Sequence, residues 1–144
     1  MAGVEGNSIF VKSGDYLSFL ADEAITLGQM VKLTTTGTDT CGIADAVTDS
    51  SVGIAVGGDR FSRTATDNTV AAGAKVTVCT RGVVRVTTGT STIVRGSFLE
   101  AAASGTVDLS GTVGTAGNVA EVVGQALDPN GGAAVEIRMR LMRN

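Results

Sequence analysis

The side chains that could do chemistry are few and of narrow type. The chain of 144 residues contains no histidine, so a Ser-His-Asp triad, a Cys-His pair and a histidine-ligated metal site are excluded. Its two cysteines, Cys41 and Cys79, are too far apart for a CxxC motif and too few for a thiolate metal site. We expect free thiols in a reducing compartment, with a disulfide between facing strands as the alternative.

Other polar groups have the right residue types for a site without the required spacing. Asp39, Asp45 and Asp49 carry the oxygen ligands that calcium takes, but their spacing is not that of an EF-hand loop, so we expect solvated carboxylates. Ser97 lies in RGSFLE, which is not GxSxG, and the Gly-rich segments GGDR and GTVGTAG lack the GxxxxGK[ST] pattern. We predict no catalytic residue, no metal site and no cofactor, and therefore a protein that is not an enzyme.

Three arginines, Arg138, Arg140 and Arg143, form a positive cluster near the end of the sequence. The first two share one face of a predicted strand, because apolar residues alternate with them in AVEIRMRL. One interpretation is a basic stripe that meets an acidic protein surface, since the planar guanidinium suits interface carboxylates. The other is a solvated strand face, with Arg138 or Arg140 paired across strands to Glu121 or Glu136. Both interpretations remain open.

The elements that position these residues are predicted to be strands. Gly occurs 20 times and Pro once, a composition typical of short strands joined by Gly-rich turns with intact hydrogen-bond ladders. Segment 72–88, AGAKVTVCTRGVVRVTT, alternates apolar and polar residues up to Arg81 and then continues with a second β-branched run. This pattern predicts a β-hairpin. Cys79 falls on the polar face of its first strand, where another subunit or a pocket beneath a loop would cover it.

The length fits one domain with a real hydrophobic core. We predict an extended N-terminal arm at 1–14 and a single compact all-β domain, barrel-like or sandwich-like, at 15–144. The arm carries one apolar triplet, Ile9, Phe10 and Val11, in polar surroundings. We expect it to be ordered by contact with another molecule, with a short edge strand or disorder as alternatives.

Segment 57–71 is the least periodic part of the first half and is predicted to be a long surface loop. It carries charged residues around one aromatic side chain, and loops of this length in compact domains are usually functional or mobile. Arg60, Phe61 and Arg63 are therefore candidate contact residues.

Three short segments recur in the same order in the two halves of the chain. LGQMVKL corresponds to RGSFLEA, VGIAV to VGQAL, and AGAKVTV to GGAAVEI. These matches predict a fold of two related halves, with the loop 57–70 inserted in the first. The alternative is chance similarity among short segments rich in Val, Gly and Ala.

Charge and hydropathy limit the partners. A net charge of −3 and an aromatic content of 3% lack both the basic footprint and the stacking platforms of nucleic-acid binders. No apolar run approaches the roughly 20 residues that cross a bilayer, and residues 1–11 do not have the pattern of a signal peptide. We expect no nucleic-acid or membrane partner, and synthesis in the cytoplasm.

The succession DYLSFLA, ITLGQMVKL, VGIAV, AAGAKVTVCTRGVVRV, GSFLEA, VVGQAL and GGAAVEIRMRL resembles that of the capsid decoration (cement) proteins of tailed double-stranded DNA viruses. The similarity spans nearly the whole chain, although the first half is longer than in a minimal member. The resemblance implies a β-barrel-like domain that assembles, commonly as a homotrimer, on the outer surface of an icosahedral bacteriophage head. Such proteins stabilise the capsid by bridging subunits of the major capsid protein.

Candidate contacts with the capsid or a sister subunit are the arm triplet, the loop residues and two arginines of the last strand: Ile9, Phe10, Val11, Arg60, Phe61, Arg63, Arg138 and Arg140. The alternative function is a carbohydrate-binding or host-surface-binding β module. That function would require an aromatic-lined groove, and the chain has only four Phe and one Tyr.

Overall fold

A computed structural model describes residues 15–46, 49, 51–58, 68–110 and 122–142. The predicted arm at 1–14 lies outside the described residues. The strands of the first half are β1 Asp15–Ala21, β2 Ile25–Thr26, β3 Met30–Leu33, β4 Thr40–Ile43, β5 Ser51–Gly58, β6 Thr69–Val70 and β7 Lys75–Arg81. Those of the second are β8 Val83–Thr87, β9 Phe98–Ala101, β10 Val107–Leu109, β11 Val122–Ala126 and β12 Glu136–Leu141, with a 3-10 turn at Ala103–Gly105.

The two halves have the same strand order, and the prediction of an all-β fold is confirmed. In the first half β1, β4, β3, β5 and β7 close into a barrel, in which only the β1–β4 pairing is parallel. In the second half the order is β10, β9, β11, β12 and β8. A parallel bridge between Thr88 and Val107 then brings the end of β8 to β10, as Ala21 at the end of β1 is brought to Cys41 of β4.

The pairing register of the halves agrees residue by residue over two of the predicted repeat units. In the first half Val31 of β3 pairs with Gly53 of β5, and the register shifts immediately afterwards. In the second half Leu99 of β9 pairs with Gly124 of β11, next to the same kind of shift. The matches of LGQMVKL with RGSFLEA and of VGIAV with VGQAL are therefore structural equivalences.

The third predicted match is displaced by two residues. Aligning AGAKVTV with GGAAVEI places Val78 against Ile137, but Val78 pairs with Ala55 while Met139 pairs with the equivalent Ala126. The displacement arises because the second half has two more residues between its turn glycine and its last strand. Strand β7 therefore matches β12 only when this longer turn is allowed for.

The predicted hairpin of 72–88 is wrong, although both of its strands exist. Strand β7 pairs with β1 and β5, whereas β8 pairs with β12. Only Gly82, with a φ of 129°, separates them, and the shortest common hairpin loop has two residues. The chain therefore leaves the first sheet at Arg81 and enters the second at Val83. The Leu141 N–H donates to the Gly82 carbonyl at 2.8 Å, which ties the crossing point to β12.

The two halves share one core and meet at a specific contact. A single cluster of buried apolar side chains draws residues from both. The Gln29 side chain donates from Nε2 to the Ser104 carbonyl at 2.9 Å. Gly105 approaches so closely that a Cβ placed on it would lie 2.7 Å from Gln29 Cβ and 3.0 Å from Ile43 Cγ2. We call this contact between the 3-10 turn and the first half the junction.

The connection before β7 differs from the one before β12. In the first half the fully buried Ile25 pairs with Val70, so β2 and β6 form a two-stranded ribbon. Thr69 and Val70 therefore belong to a strand, and the predicted surface loop 57–71 is shorter at both ends because β5 runs to Gly58. Its middle part, 59–67, lies outside the described residues.

A single side chain replaces this ribbon in the second half. Oδ1 of the buried Asn130 accepts hydrogen bonds from the N–H groups of Ile93, at 2.8 Å, and Gly132, at 2.9 Å. Its Nδ2 donates to the carbonyls of Ser91, at 2.8 Å, and Gly89, at 3.3 Å. The amide thus satisfies backbone groups that strand pairing would otherwise satisfy.

Replacing Asn130 by Ala should destabilise the protein by about 2–3 kcal/mol, because buried backbone N–H groups lose their acceptor. Asn130→Asp should cost at least as much, since its second carboxylate oxygen cannot donate to the Ser91 and Gly89 carbonyls and would face them as a buried acceptor. Urea unfolding followed by circular dichroism measures both effects. Ser91→Ala is the control, because Ser91 contributes its carbonyl and not its side chain. Equal unfolding midpoints for Asn130→Ala and Ser91→Ala would show that the amide is dispensable.

Replacing Gly53 by Ala should cost about 3 kcal/mol, because the new Cβ would lie 2.1 Å from the Cys79 carbonyl oxygen and this obstacle is backbone. Gly57→Ala in the same strand is the control. There the nearest atom is Thr77 Cβ at 3.7 Å, and the change in unfolding free energy should stay within about 0.5 kcal/mol. A Gly53→Ala variant as stable as Gly57→Ala contradicts the close approach of β5 and β7.

Candidate interaction surfaces

The predicted contact residues divide into those that the structure describes and those that it does not. Arg138 and Arg140 are exposed on β12, where exposed and buried residues alternate strictly. The other six lie outside the described residues: Ile9, Phe10, Val11, Arg60, Phe61 and Arg63.

Arg138 is held by an aspartate of the turn before β12. Its Nε and Nη2 donate to the two carboxylate oxygens of Asp128 at 2.9 and 2.8 Å, and its backbone N–H donates to Oδ2 at 3.0 Å. This is the two-pronged geometry that guanidinium and carboxylate favour. The expectation that Glu136 pairs with Arg138 is wrong, because Glu136 accepts from Arg85 instead, at 3.4 Å. Glu121, the other expected partner, lies outside the described residues.

Around Arg85 and Arg138, the outer face of β8 and β12 is consequently close to electrically neutral. Arg85 and Arg138 lie directly opposite each other across the strands, an arrangement that repels unless each charge has a partner. Asp128 and Glu136 supply those partners. Hydrogen bonds from the side chain of Arg138 and then from its backbone lower the pKa of Asp128 to about 2, so this carboxylate stays ionised in mild acid.

Arg140 differs from Arg138 in having a neutral partner. Its Nη2 donates to Oε1 of Gln125 on β11 at 2.7 Å, so its charge is not compensated within that contact. Of the two arginines proposed for a basic stripe, Arg140 is therefore the one whose charge can act on another molecule. Of the described residues of the stripe, only Arg140 is therefore an uncompensated cation, and Arg143 lies outside the described residues.

Strand β1 carries an exposed apolar surface. Tyr16 and Leu17 are 40% and 51% exposed. The reason is that β1 pairs with β4 only through Leu20 and Ala21, among the residues that the structure describes. Within the described ranges, the large apolar residues that are exposed are Tyr16, Leu17, Leu20, Leu33, Val94, Leu109 and Val135. Three of them lie on β1, which makes this strand a candidate contact surface.

Both cysteines are free and fully buried. Burial raises the pKa of the Cys41 thiol to about 11, with Asp22 and Glu23 adding to the effect. Burial also raises the pKa of Cys79, whose Sγ donates to the Arg81 carbonyl at 3.1 Å. The interpretation that another subunit covers Cys79 is wrong, since its own chain does so. Neutral buried thiols are poor nucleophiles.

The aspartates considered for calcium serve the turns in which they lie. Asp49 Oδ2 accepts from Lys32 Nζ at 3.2 Å and from the N–H groups of Asp45, at 3.0 Å, and Ala46, at 3.2 Å. Asp39 adopts a positive φ of 59° just before β4. Within the described ranges no three cysteine or carboxylate side chains are grouped as metal ligands would be. The same ranges contain no helix that is long and apolar enough to span a bilayer.

Removing the charge of Asp128 should reduce stability in a pH-dependent way. The pKa of Asp128 is lower in the folded protein than the value of about 4 in an unfolded chain. Its stabilisation is therefore present above pH 4 and is lost as the pH falls through 2. Asp128→Asn should unfold at a lower urea concentration than the unmodified protein at pH 7, and this difference should shrink as the pH falls to 2, where about half of the Asp128 carboxylates are protonated.

Glu136→Gln is the control, because its ion pair with Arg85 is longer, at 3.4 Å. It should change the midpoint at pH 7 less than Asp128→Asn does. A difference between Asp128→Asn and the unmodified protein that persisted unchanged at pH 2 would assign the effect to something other than this carboxylate.

Comparison with known proteins identifies a related fold. No model of a known protein family matches the chain, and no curated protein matches it. Among solved structures, it is similar to the head fiber gp8.5 N base of bacteriophage phi29, with 14% sequence identity and a TM-score of 0.53. The match covers 90% of this chain and 95% of that one. The two chains therefore share a fold over nearly their whole lengths.

Proposed function

We propose that this chain is a structural protein of a bacteriophage virion, attached to the outer surface of the icosahedral head. The observation that carries the proposal is the fold shared with a phage head fiber base over 90% of the chain. The order of sequence segments, which resembles that of capsid decoration proteins, supports the same class. The partners on this proposal are the major capsid protein and other copies of the chain, assembled as a homotrimer.

The action is mechanical rather than catalytic. The chain has no histidine, and its two thiols are buried and neutral at physiological pH. The chain would add contacts that bridge neighbouring capsid subunits. These contacts must be broken before the shell can open. An interface of standard size buries about 1,600 Å² in total.

Two described surfaces suit such a contact. Strand β1 offers exposed apolar side chains on both of its faces, Leu17 on one and Leu20 on the other, and each gains free energy when a partner removes it from water. Arg140 offers a cation with no carboxylate in its own contact. A major capsid protein with an apolar site bordered by acidic residues would be complementary to these features.

The experiment compares particles of the phage that encodes the chain with particles from which its gene has been deleted. Electron cryomicroscopy should show density on the outside of the wild-type shell that is absent from the deletion particles. Adding purified protein should restore it, and restored particles should retain their DNA to a higher temperature. Shells of identical outer density in the two samples would overturn the proposal.

The same add-back assay tests strand β1. Leu17→Asp should bind the deletion particles at least about tenfold more weakly, because losing one apolar anchor removes on the order of 1.5 kcal/mol. Val135→Asp is the matched control, since Val135 is also an exposed apolar residue but lies outside β1. Equal weakening by both variants would mean that β1 has no special part in attachment.

A further inference from the structure

The junction is formed once within the chain, yet the surfaces that form it are present twice. In the junction, the loop between β9 and β10, residues 102–106, packs on Gln29 and Ile43 of the first half. Each half has a loop of this kind and a surface of this kind. One loop and one surface are therefore left unused.

The unused surface can be identified from hydrogen bonds and strand pairing. Gln29 Oε1 accepts from the Thr26 N–H at 2.8 Å, and Ser97 Oγ accepts from the Val94 N–H at 3.1 Å, in each case three residues earlier. Ser97 thus takes the place of Gln29 in the second half.

The same argument identifies the counterpart of Ile43. Ile43 pairs with Val31 on β3, and Leu109 pairs with Leu99 on β9. Val31 and Leu99 are equivalent, because each pairs with the glycine beside a register shift. Leu109 therefore takes the place of Ile43. We call Val94, Ser97 and Leu109 the acceptor surface.

The acceptor surface has the properties of an unfilled contact. Leu109 is 43% exposed and Val94 is 59% exposed. Gln29 uses its amide protons to donate to Ser104 across the junction. The Ser97 hydroxyl proton is the matching donor, and the described part of the chain contains no acceptor for it. Arg95 adds an exposed positive charge beside these groups.

The unused loop is 35–39, between β3 and β4, and every residue in it is exposed. It corresponds to the β9–β10 loop because Asp39 and Gly105 both have positive φ, 59° and 75°, and each is followed by a threonine. Leu33, which precedes the loop, is 56% exposed. Loop 35–39 can therefore project onto a second copy of the chain, in the way that loop 102–106 projects onto the first half in the junction.

The sizes and charges of the unused pair are complementary. In the junction the long Gln29 side chain faces Gly105, which has no side chain. In the unused pair the short Ser97 would face Asp39, which has one. The carboxylate of Asp39 would also come near Arg95, so opposite charges meet.

We propose that copies of this chain associate head to tail, with loop 35–39 of one copy packed on the acceptor surface of the next. Every copy has one loop and one surface, so the contact is heterologous and repeats until a ring closes. Three copies of two halves would form a ring of six similar units. The inference rests on the self-association included in the proposed function and assigns it a surface.

Site-specific cross-linking tests the contact in the purified full chain. Thr38→Cys and Leu109→Cys each add one exposed thiol, and the native thiols do not interfere because both are fully buried. Mixing the two variants under mild oxidation should give disulfide-linked dimers, whereas each variant alone should give few. The matched control mixes Leu109→Cys with Asp15→Cys. Loop 35–39 lies at the Ala21 end of β1, where the Leu20 N–H donates to the Asp39 carbonyl. Asp15 lies at the opposite end of β1, about 20 Å from Ala21, so this mixture should not cross-link.

A second measurement separates this surface from self-association in general. Sedimentation velocity of the unmodified protein should show an oligomer, and Leu109→Asp should shift it to monomer while Leu17→Asp does not. Oligomers that survive Leu109→Asp, with no cross-link from Thr38→Cys to Leu109→Cys, would overturn this surface and leave the proposed self-association intact. A monomer at every concentration, with no cross-link in solution or on particles, would overturn both.

Discussion

The link at Gly82 is the constraint on which the rest of the structure depends. One residue separates the last strand of the first half from the first strand of the second, and its φ of 129° is a conformation that a side chain would disfavour. With no linker to absorb movement, the halves are held at a fixed distance and share one cluster of buried side chains. Because the halves are held in this way, Gln29 and the 3-10 turn stay within contact distance of each other, and the junction can form.

The sequence was informative about strands and much less informative about their partners. The alternation in AVEIRMRL correctly predicted β12, because one face of that strand is buried and the other is exposed. The alternation in AGAKVTVCTRGVVRV correctly predicted β7 and β8 but wrongly joined them, since periodicity describes faces and not neighbours. The spacing at Gly82 is against a hairpin, because one residue is shorter than the shortest common hairpin loop.

The candidate surfaces were harder to predict, because they depend on residues far apart in sequence. Arg138 and Arg140 look alike in the sequence, yet Asp128 neutralises one and Gln125 leaves the charge of the other uncompensated. Tyr16 and Leu17 have the composition of core residues, and their exposure follows from how little of β1 is paired with β4. Asn130 lies in DPNGG, a segment whose composition is typical of an ordinary turn. Its role depends on the five backbone and side-chain groups that form hydrogen bonds with its amide, and these groups are distant in sequence or set by the fold.

Duplication has a thermodynamic consequence for self-assembly. The contact within the chain forms between halves that are already joined, so its effective concentration is high. The equivalent contact between chains must also offset about 4–15 kcal/mol of lost translational and rotational freedom. The exposed Leu33, Val94 and Leu109 provide apolar area toward that cost. A capsid that binds several copies side by side would reduce it further, because the copies would then already be held together. Head-to-tail contact and attachment to a shell would in that case reinforce each other, each making the other less costly.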